Sequence, residues 1–293
     1  MTETLTFAKG HGTGNDFVLV PDPDGTLPLD AALVVALCDR RFGVGGDGVL
    51  RVVRTAAHPE AAAHADEAEW FMDYWNSDGS LAEMCGNGSR VFARYLVEHG
   101  LAAGERIPIW TRSGLVVARV GNASVSVAMP VPRVSGTSAV AVAGHWFSGT
   151  VAECGNPNLV CPVSDPSTLD LTGPMGLDGA VFPRSANVEF VAVRPGPVAG
   201  ADLHVTLRVV ERGSGETLSC GSGACAVAAV ALRGDLTGEA PRPAGTVAID
   251  VPGGRLSVAI DESSCVLTGP AELVATGTIN LASLAPIKEK SAL

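Results

Sequence analysis

The chain has 293 residues, enough for two domains of ordinary size, and 46% of them are hydrophobic, enough to fill two cores. Its 20 basic and 31 acidic residues give a net charge of -11, which opposes binding to nucleic-acid phosphates or anionic lipids. No apolar run reaches the roughly 18 residues of a membrane span, and the opening MTETLTFAKG lacks the order of a signal peptide. We therefore expect a soluble cytoplasmic protein with a small-molecule partner, neither nucleic acid nor a membrane.

The predicted elements are short strands interrupted by three helices. In chain order, β-branched runs predict strands at FVLV, VLRVV, VVARV and VSVAM, and then at VEFVAV, VTLRVV, VAIDV and LSVAI. Helical periodicity runs through LDAALVVALCDRR, SRVFARYLVEHG and GACAVAAVALRG, and we expect Gly100 and Gly234 to end the last two helices. TAAHPEAAAHADEAEW is predicted to be a surface excursion, and PVPRVSGTSA the crossing between two halves.

The sequence repeats itself at a spacing of about 140 residues. Cys-Gly-x-Gly occurs at Cys85 and again 135 residues later at Cys220. GNDFVLV resembles GNPNLVC at an offset of 141, and SGLVVARV resembles GGRLSVAI at an offset of 140. Several matches in the same order indicate a duplicated domain. We predict an N-terminal half over residues 1–132, joined by the C-terminal segment 277–293, and a second half over residues 133–276.

Seven cysteines in a chain without an export signal make a disulfide framework improbable. Two of them, Cys85 and Cys220, begin the repeated motif. The remaining five are expected to be buried as small hydrophobic residues: Cys38, Cys154, Cys161, Cys225 and Cys265.

Three cofactor classes are disfavoured by the sequence. GVGGDG, at residues 43–48, follows a predicted helix and precedes a strand, which is the reverse of a dinucleotide-binding motif, so we interpret it as a tight turn. The histidines and cysteines lack zinc-ligand spacing. Only three lysines occur, and two lie within the last six residues, which leaves Lys9 alone as a candidate Schiff-base lysine for pyridoxal phosphate. We expect no cofactor and no metal.

Cys85 and Cys220 are the candidate catalytic residues. The N-terminus of a helix favours a thiolate, so we expect a lowered pKa for both thiols. The same N–H groups can bind a carboxylate, and flanking glycines let a ligand approach the backbone. Two thiols on opposite sides of an amino acid's α-carbon can invert it, one removing a proton and the other returning one.

Six segments, in order, closely resemble the diaminopimelate epimerase family across nearly the whole chain. They are HGTGNDF, FGVGGDG, NSDGSLAEMCGNGSR, GNPN, SANVEF and ERGSGETLSCGSGACA. The resemblance implies an α+β fold of two pseudo-symmetric, barrel-like domains, each around a central helix, with the active site in the cleft between them. It also implies cofactor-independent interconversion of LL- and meso-diaminopimelate for lysine and peptidoglycan biosynthesis. Members often form homodimers, which is an expectation for this chain.

Carried over to this sequence, the resemblance implies that Cys85 and Cys220 are the acid–base pair. It further implies two groups of substrate-binding residues. The group at the reacting carboxylate comprises Gly86, Asn87, Gly221 and Ser222. The group at the distal carboxylate and amine comprises Asn15, Asn76, Asn156, Asn187, Glu211 and Arg212.

Two positions depart from the family's pattern. Asn158 stands where many members carry a histidine thought to assist one thiol, and asparagine cannot relay a proton. Gly48 stands where some members carry glutamine, although glycine is also common there. The first departure keeps open a racemase of the same mechanism for another amino acid, such as a basic or cyclic one.

Two alternative functions, which belong to other classes of protein, also remain. A non-catalytic amino-acid-binding protein would keep the carboxylate donors and would not need the thiols. A thiol redox protein would use the same two cysteines as a disulfide couple, but they are 135 residues apart and no C-x-x-C occurs.

Overall fold

A computed structural model describes residues 4–284, within which there are three α-helices and eighteen β-strands. The helices are α1 (Ala31–Cys38), α2 (Gly86–Glu98) and α3 (Gly221–Leu232). The first strands are β1 (Thr4–Gly12), β2 (Asn15–Pro21), β3 (Gly48–Arg54), β4 (Trp70–Asn76), β5 (Ile107–Thr111), β6 (Gly114–Val120) and β7 (Val125–Met129). They are followed by β8 (Arg133–Val142), β9 (His145–Cys154), β10 (Asn156–Pro162), β11 (Met175–Leu177), β12 (Asn187–Val193) and β13 (Leu203–Glu211). The last are β14 (Gly215–Thr217), β15 (Gly245–Val251), β16 (Gly254–Ile260), β17 (Cys265–Gly269) and β18 (Glu272–Asn280).

The described residues form two compact units. The first comprises residues 4–125 and 271–284, and the second comprises residues 126–270. The C-terminal strand β18 belongs to the first unit because it pairs antiparallel with β1. Residues 285–293 of the predicted C-terminal segment lie outside the described residues.

The first unit surrounds helix α2 with strands. Strand pairing proceeds from β1 to β6 as antiparallel β1–β2, parallel β2–β3, antiparallel β3–β4, parallel β4–β5 and antiparallel β5–β6. Helix α2 packs against β1, β2, β3, β5, β6 and β18, and all its residues from Gly86 to Leu96 are buried. Helix α1 contacts β3, and its buried residues Val34 and Leu37 pack in a separate apolar cluster with Val18 and Val49.

The second unit repeats this succession of pairings. It proceeds as antiparallel β9–β10, parallel β10–β12, antiparallel β12–β13, parallel β13–β15 and antiparallel β15–β16. Helix α3 takes the place of α2, packing against strands from β8 to β17, and every residue except Ser222 is buried. The repeat therefore makes β2 equivalent to β10, β3 to β12, β4 to β13, and α2 to α3.

Most predicted elements are confirmed. All eight predicted strands and all three helices are present, and Gly100 and Gly234 follow α2 and α3 in the left-handed region, with φ of 66° and 83°. The five cysteines expected to be buried are buried, and none of the seven cysteines, all within residues 4–284, forms a disulfide. GVGGDG forms a turn between α1 and β3, in which Gly45 has φ of 81°.

Two segments differ from the predictions. Residues 130–139, predicted to be a crossing, belong to the second unit, and from Arg133 onward they form β8, which pairs with β9. The predicted surface excursion over residues 55–70 is only partly exposed, because His58 and Ala61 are buried and pack near Phe71. No helix within residues 4–284 is long and apolar enough to cross a membrane.

The two glycines that end the central helices provide a matched test of packing. A Cβ at Gly234 would lie 2.0 Å from the carbonyl oxygen of Glu239, whereas a Cβ at Gly100 would meet no described atom within 4 Å. Left-handed backbone costs a non-glycine residue about 1–2 kcal/mol. We expect Gly100→Ala to lose about that much stability and Gly234→Ala to lose clearly more, as measured by denaturant unfolding. Equal losses would contradict the packing at Gly234.

Candidate functional site

Helix α2 begins at Cys85. This residue is the N-cap, with extended backbone at φ -141° and ψ 122°, and its Sγ accepts a hydrogen bond from the Gly88 N–H at 3.4 Å. The cysteine side chain is half-buried. The first-turn residues Gly86 and Asn87 follow directly, and N–H groups of a first turn point toward the N-terminal end of the helix. The structure thus places a thiol and an anion-attracting helix end together.

Asn15 connects this thiol to the start of β2. Its Oδ1 accepts a hydrogen bond from Asn87 Nδ2 at 3.2 Å and lies 3.7 Å from Cys85 Sγ, which is within donor range for sulphur. Its Nδ2 donates to Asp47 Oδ2 at 2.8 Å. Of the predicted residues in the first unit, Asn15, Cys85, Gly86 and Asn87 therefore lie in one cluster.

Asn76 has different contacts. It lies at the end of β4 opposite Gly48, and its Nδ2 donates to Ser80 Oγ at 3.0 Å. Gly48 itself has no room for a side chain, since a Cβ there would lie 2.4 Å from the Trp75 carbonyl oxygen. Glycine at this position is therefore required by the packing of β3 on β4.

Arg90 was not predicted from the sequence as part of the site. It is fully buried on α2, where its guanidinium donates to the Gly86 carbonyl and to Thr13 Oγ1, both at 3.3 Å. The signal for it is an arginine directly before the apolar residues Val91, Phe92 and Ala93 in a predicted helix, since buried cations are rare without partners. Arg90 therefore places a positive charge against the first residue of the helix, next to Cys85 in the chain.

Cys220 holds the equivalent position at the start of α3. It is the N-cap, with φ -125° and ψ 121°, and it is only 5% exposed. Its Sγ lies 3.4 Å from Ser222 Oγ. As in the first unit, the next two residues, Gly221 and Ser222, open the helix.

Asn187, at the start of β12, links three other residues singled out from the sequence. Its Nδ2 donates to Asn158 Oδ1 at 3.1 Å and to Cys220 Sγ at 3.8 Å, while its Oδ1 accepts the backbone N–H of Arg212 at 3.0 Å. Asn158 is fully buried and donates in turn to the Asn156 carbonyl at 2.7 Å. The side chain of Asn158 is therefore held by hydrogen bonds at both its amide oxygen and its amide nitrogen.

The remaining predicted residues lie at the exposed side of the same network. Arg212 Nη2 donates to Asn156 Oδ1 at 3.4 Å, and both side chains face solvent. Glu211, at the end of β13, accepts a hydrogen bond from Thr217 Oγ1 at 2.6 Å. All seven predicted residues of the second unit therefore lie close together, with Cys220 at the buried end and Arg212 at the exposed end.

Glu189 is the second site residue that sequence reasoning missed. It lies two residues after Asn187 on β12, is 0% exposed, and within the described residues neither carboxyl oxygen has a hydrogen-bond partner. Burial, and to a lesser extent the nearby Glu211, raises the pKa of the Glu189 carboxyl well above its ordinary value. The signal was an acidic residue in the middle of the apolar strand VEFVAV.

The expected lowering of thiol pKa is wrong for Cys220. Burial of the sulphur, followed by the carboxyls of Glu211 and Glu189, raises the pKa of Cys220 well above its ordinary value. The Ser222 hydroxyl acts in the opposite direction but is outweighed. The helix N-terminus is a feature of the local chain, whereas burial and two acidic residues on the strands determine the pKa of Cys220.

The chain matches the family model described as diaminopimelate epimerase over residues 7–135 and 150–274. It is 47% identical over 295 residues to the diaminopimelate epimerase of Streptomyces coelicolor, covering 97% of this chain and 98% of that protein. It is also 47% identical over 288 residues to the diaminopimelate epimerase of Thermobifida fusca, covering 96% and 100%.

Two solved structures show the same fold at low sequence identity. A phenazine biosynthesis protein of the PhzF family from Bacillus anthracis aligns with a TM-score of 0.69 at 15% identity, covering 94% of this chain and 99% of that one. A hydroxyproline epimerase from Agrobacterium vitis aligns with a TM-score of 0.65 at 15% identity, covering 95% and 93%. The two-domain α+β fold predicted from the sequence is confirmed.

Proposed function

Because the chain belongs to the diaminopimelate epimerase family and is therefore an isomerase, we propose that it interconverts LL- and meso-diaminopimelate by cofactor-independent proton transfer between Cys85 and Cys220. The supporting observation is that both Cys-Gly-x-Gly motifs place the cysteine at the N-cap of a buried central helix. Each unit is thus proposed to be one half of an epimerase, and each supplies one thiol.

The reaction needs one thiolate and one thiol. The thiolate takes the proton from the α-carbon and becomes a thiol, leaving a carbanion stabilised by the adjacent carboxylate. The other thiol delivers its proton to the opposite face and becomes a thiolate. The atoms and charges balance without a cofactor, and the enzyme is ready for the reverse direction.

Helix N-termini suit the carboxylate at the reacting carbon. Negative charge on that carboxylate grows as the proton leaves, and N–H groups aimed at it stabilise the developing charge. Gly86 and Asn87 in one unit, and Gly221 and Ser222 in the other, are the proposed donors. The Gly residues keep these helix ends open to the ligand.

The distal end of the substrate is proposed to bind Asn15, Asn76, Asn156, Asn187, Glu211 and Arg212. Arg212 is the proposed partner of the distal carboxylate, since a planar guanidinium can bind both oxygens of a carboxylate. Glu211 offers a carboxylate for the distal ammonium group. The asparagine amides supply donors and acceptors that fix the orientation of the chain between them.

The direct test of the proposal is exchange of the α-hydrogen with solvent. Purified, reduced protein in deuterated water should incorporate deuterium into the α-position of LL-diaminopimelate and form the meso isomer, as followed by NMR. Two thiols that exchange protons with water make this incorporation obligatory. Absence of both exchange and inversion with either isomer would exclude the reaction.

A racemase of the same mechanism for another amino acid is the second candidate. Asn158 favours it, because this buried residue cannot relay a proton where many relatives carry histidine. A panel of diaminopimelate, lysine and proline separates the two. The same deuterium assay on each compound would show which α-proton the enzyme removes.

The pathway and location follow from the proposed substrate. Meso-diaminopimelate serves lysine and peptidoglycan synthesis, and we propose that the enzyme acts in the cytoplasm for these pathways. Loss of the chromosomal gene should then make growth dependent on supplied meso-diaminopimelate.

A further inference from the structure

Glu189 occupies a position that is apolar in the other half of the molecule. Strand β12 is equivalent to β3, and the register of each with its parallel neighbour matches Glu189 to Leu50. The packing agrees with this match. A Cβ on Gly88 of α2 would lie 3.4 Å from Leu50 Cδ2, and a Cβ on the equivalent Gly223 of α3 would lie 2.6 Å from Glu189 Oε1.

The duplicated site is therefore asymmetric in charge. Beneath the first turn of α2 lies a leucine, and α2 itself carries the buried cation Arg90. Beneath the first turn of α3 lies a fully buried carboxyl group, and Cys225 stands at the helix position equivalent to Arg90. The two cysteines have the same backbone setting, but a buried cation lies on the helix of one and a buried carboxyl group lies near the other.

We propose that Glu189 is a positioning residue for the proton on Cys220: with Glu211 and Cys220 it forms an acidic triad that keeps Cys220 as the thiol in the free enzyme. This proposal deepens the proposed function and rests on it. Within the described residues Glu189 makes no hydrogen bond to Cys220, so its proposed effect is electrostatic.

Once one of three neighbouring acidic groups is ionised, the other two ionise less readily, because like charges repel. Glu211 is the most exposed of the three and has a hydroxyl partner in Thr217, so it accommodates a negative charge most easily. Glu189 has neither solvent nor a hydrogen-bond partner within the described residues, so its pKa lies well above that of an ordinary carboxyl group. Cys220 keeps its proton because its thiolate would have to form in a buried place beside the carboxyl groups of Glu211 and Glu189.

The surroundings of Glu189 on its other sides do not offset this effect. The titratable groups that interact with it are Glu211 on β13, Cys220 before α3 and Cys161 on β10, all of which are acids. The cation nearest to the network, Arg212, lies at its exposed end with its guanidinium on Asn156. Neutral dipoles from Asn187 and Ser222 can still stabilise the Cys220 thiolate when turnover forms it.

The proposal assigns an order to the reaction. An enzyme that rests with Cys220 protonated is ready for the isomer whose α-proton faces Cys85. The opposite isomer requires the proton to move from Cys220 to Cys85 before turnover.

The test is titration of the Cys220 thiolate in the wild type and in Glu189→Gln. Thiolate absorbance near 240 nm is recorded against pH for each protein and for the same protein carrying Cys220→Ser, and the difference reports Cys220 alone. We expect the wild-type midpoint to lie clearly above the ordinary thiol value of about 8.5. Glu189→Gln keeps the side-chain shape and should lower the midpoint by about one pH unit or more, the size of coupling expected between interacting acids.

Two further variants sharpen the comparison. Glu189→Leu, which introduces the residue type of the equivalent Leu50, should lower the midpoint in the same direction. Glu153→Gln removes an exposed carboxylate that pairs with Arg133 and should leave the midpoint unchanged. In the pH profile of kcat/KM, the alkaline limb should shift by the same amount as the Cys220 midpoint. A purely structural role of Glu189 would not produce this shift.

The outcomes are distinct from those of the proposed function. A wild-type midpoint near the ordinary thiol value contradicts the triad even if no Glu189 variant folds. An unchanged midpoint in a folded Glu189→Gln protein also overturns it. Because thiolate absorbance needs no turnover, failure of the deuterium-exchange assay would refute the epimerase proposal without altering this measurement.

Discussion

Cys85→Ser and Cys220→Ser should each lower kcat/KM for epimerisation by about 100- to 10,000-fold. This is the usual contribution of a positioned acid or base, and a serine hydroxyl does not ionise in the working range of a thiol. The substitution changes one atom, so the N-cap geometry at Cys85 and Cys220 should persist. The measurement is the initial rate of inversion in both directions, with the fold checked by circular dichroism.

The two variants should also differ from each other in a way that a general loss of structure would not produce. Each keeps one thiol, so each should still exchange the α-hydrogen of the isomer that presents its proton to that thiol. Cys85→Ser and Cys220→Ser should therefore retain slow exchange with opposite isomers. The same isomer preference in both variants would argue against thiols on opposite faces.

A matched control is Cys38→Ser. Cys38 is buried at the end of α1 in an apolar cluster of the first unit, and it takes no part in the proposed site. We expect its rate to remain within a few-fold of the wild type, with any effect confined to stability. An equal loss of rate in this control would mean that activity reports core packing rather than acid–base chemistry. A binding protein without catalysis predicts that all three variants behave alike.

The fold was readily predicted where local chemistry determines it. Glycine-terminated apolar periodicity identified α2 and α3, and β-branched runs identified eight of the eighteen strands within residues 4–284. The β8–β9 hairpin was missed because its residues are largely Ser, Gly, Thr and Ala, which resemble a connection. These strands are defined by pairing with each other, a non-local property that composition does not report.

The site was predictable in its membership but not in its contacts. The resemblance to a family supplied the residue set, and the duplication supplied the reason for two cysteines. That Asn187 bridges Asn158, Cys220 and Arg212 depends on the approach of three separate segments. The difference between Leu50 and Glu189 likewise requires the strand register, and the raised pKa of Cys220 requires its burial and the approach of Glu211 and Glu189.

Arg212 should determine whether the substrate carries a second carboxylate. Its guanidinium is exposed and rests on Asn156, while its backbone N–H is fixed by Asn187, so the side chain is anchored at its base and available at its tip. Loss of a charged hydrogen-bond partner costs about 2–5 kcal/mol. We expect Arg212→Met to lower kcat/KM for diaminopimelate by about 100- to 1,000-fold. Arg212→Lys keeps the charge but loses the planar fork, so its loss should be intermediate.

The informative quantity is the ratio of kcat/KM for diaminopimelate to that for lysine, which has no distal carboxylate. The wild type should react poorly with lysine, and Arg212→Met should leave that slow rate nearly unchanged, so the ratio should collapse toward one. Arg233→Met, at an exposed arginine after α3 that pairs with Asp235, is the matched control and should preserve the ratio. If both substrates lose rate equally in Arg212→Met, the arginine serves the reacting end or the fold. If diaminopimelate loses nothing, its distal carboxylate binds elsewhere, and a racemase for another amino acid becomes the better description.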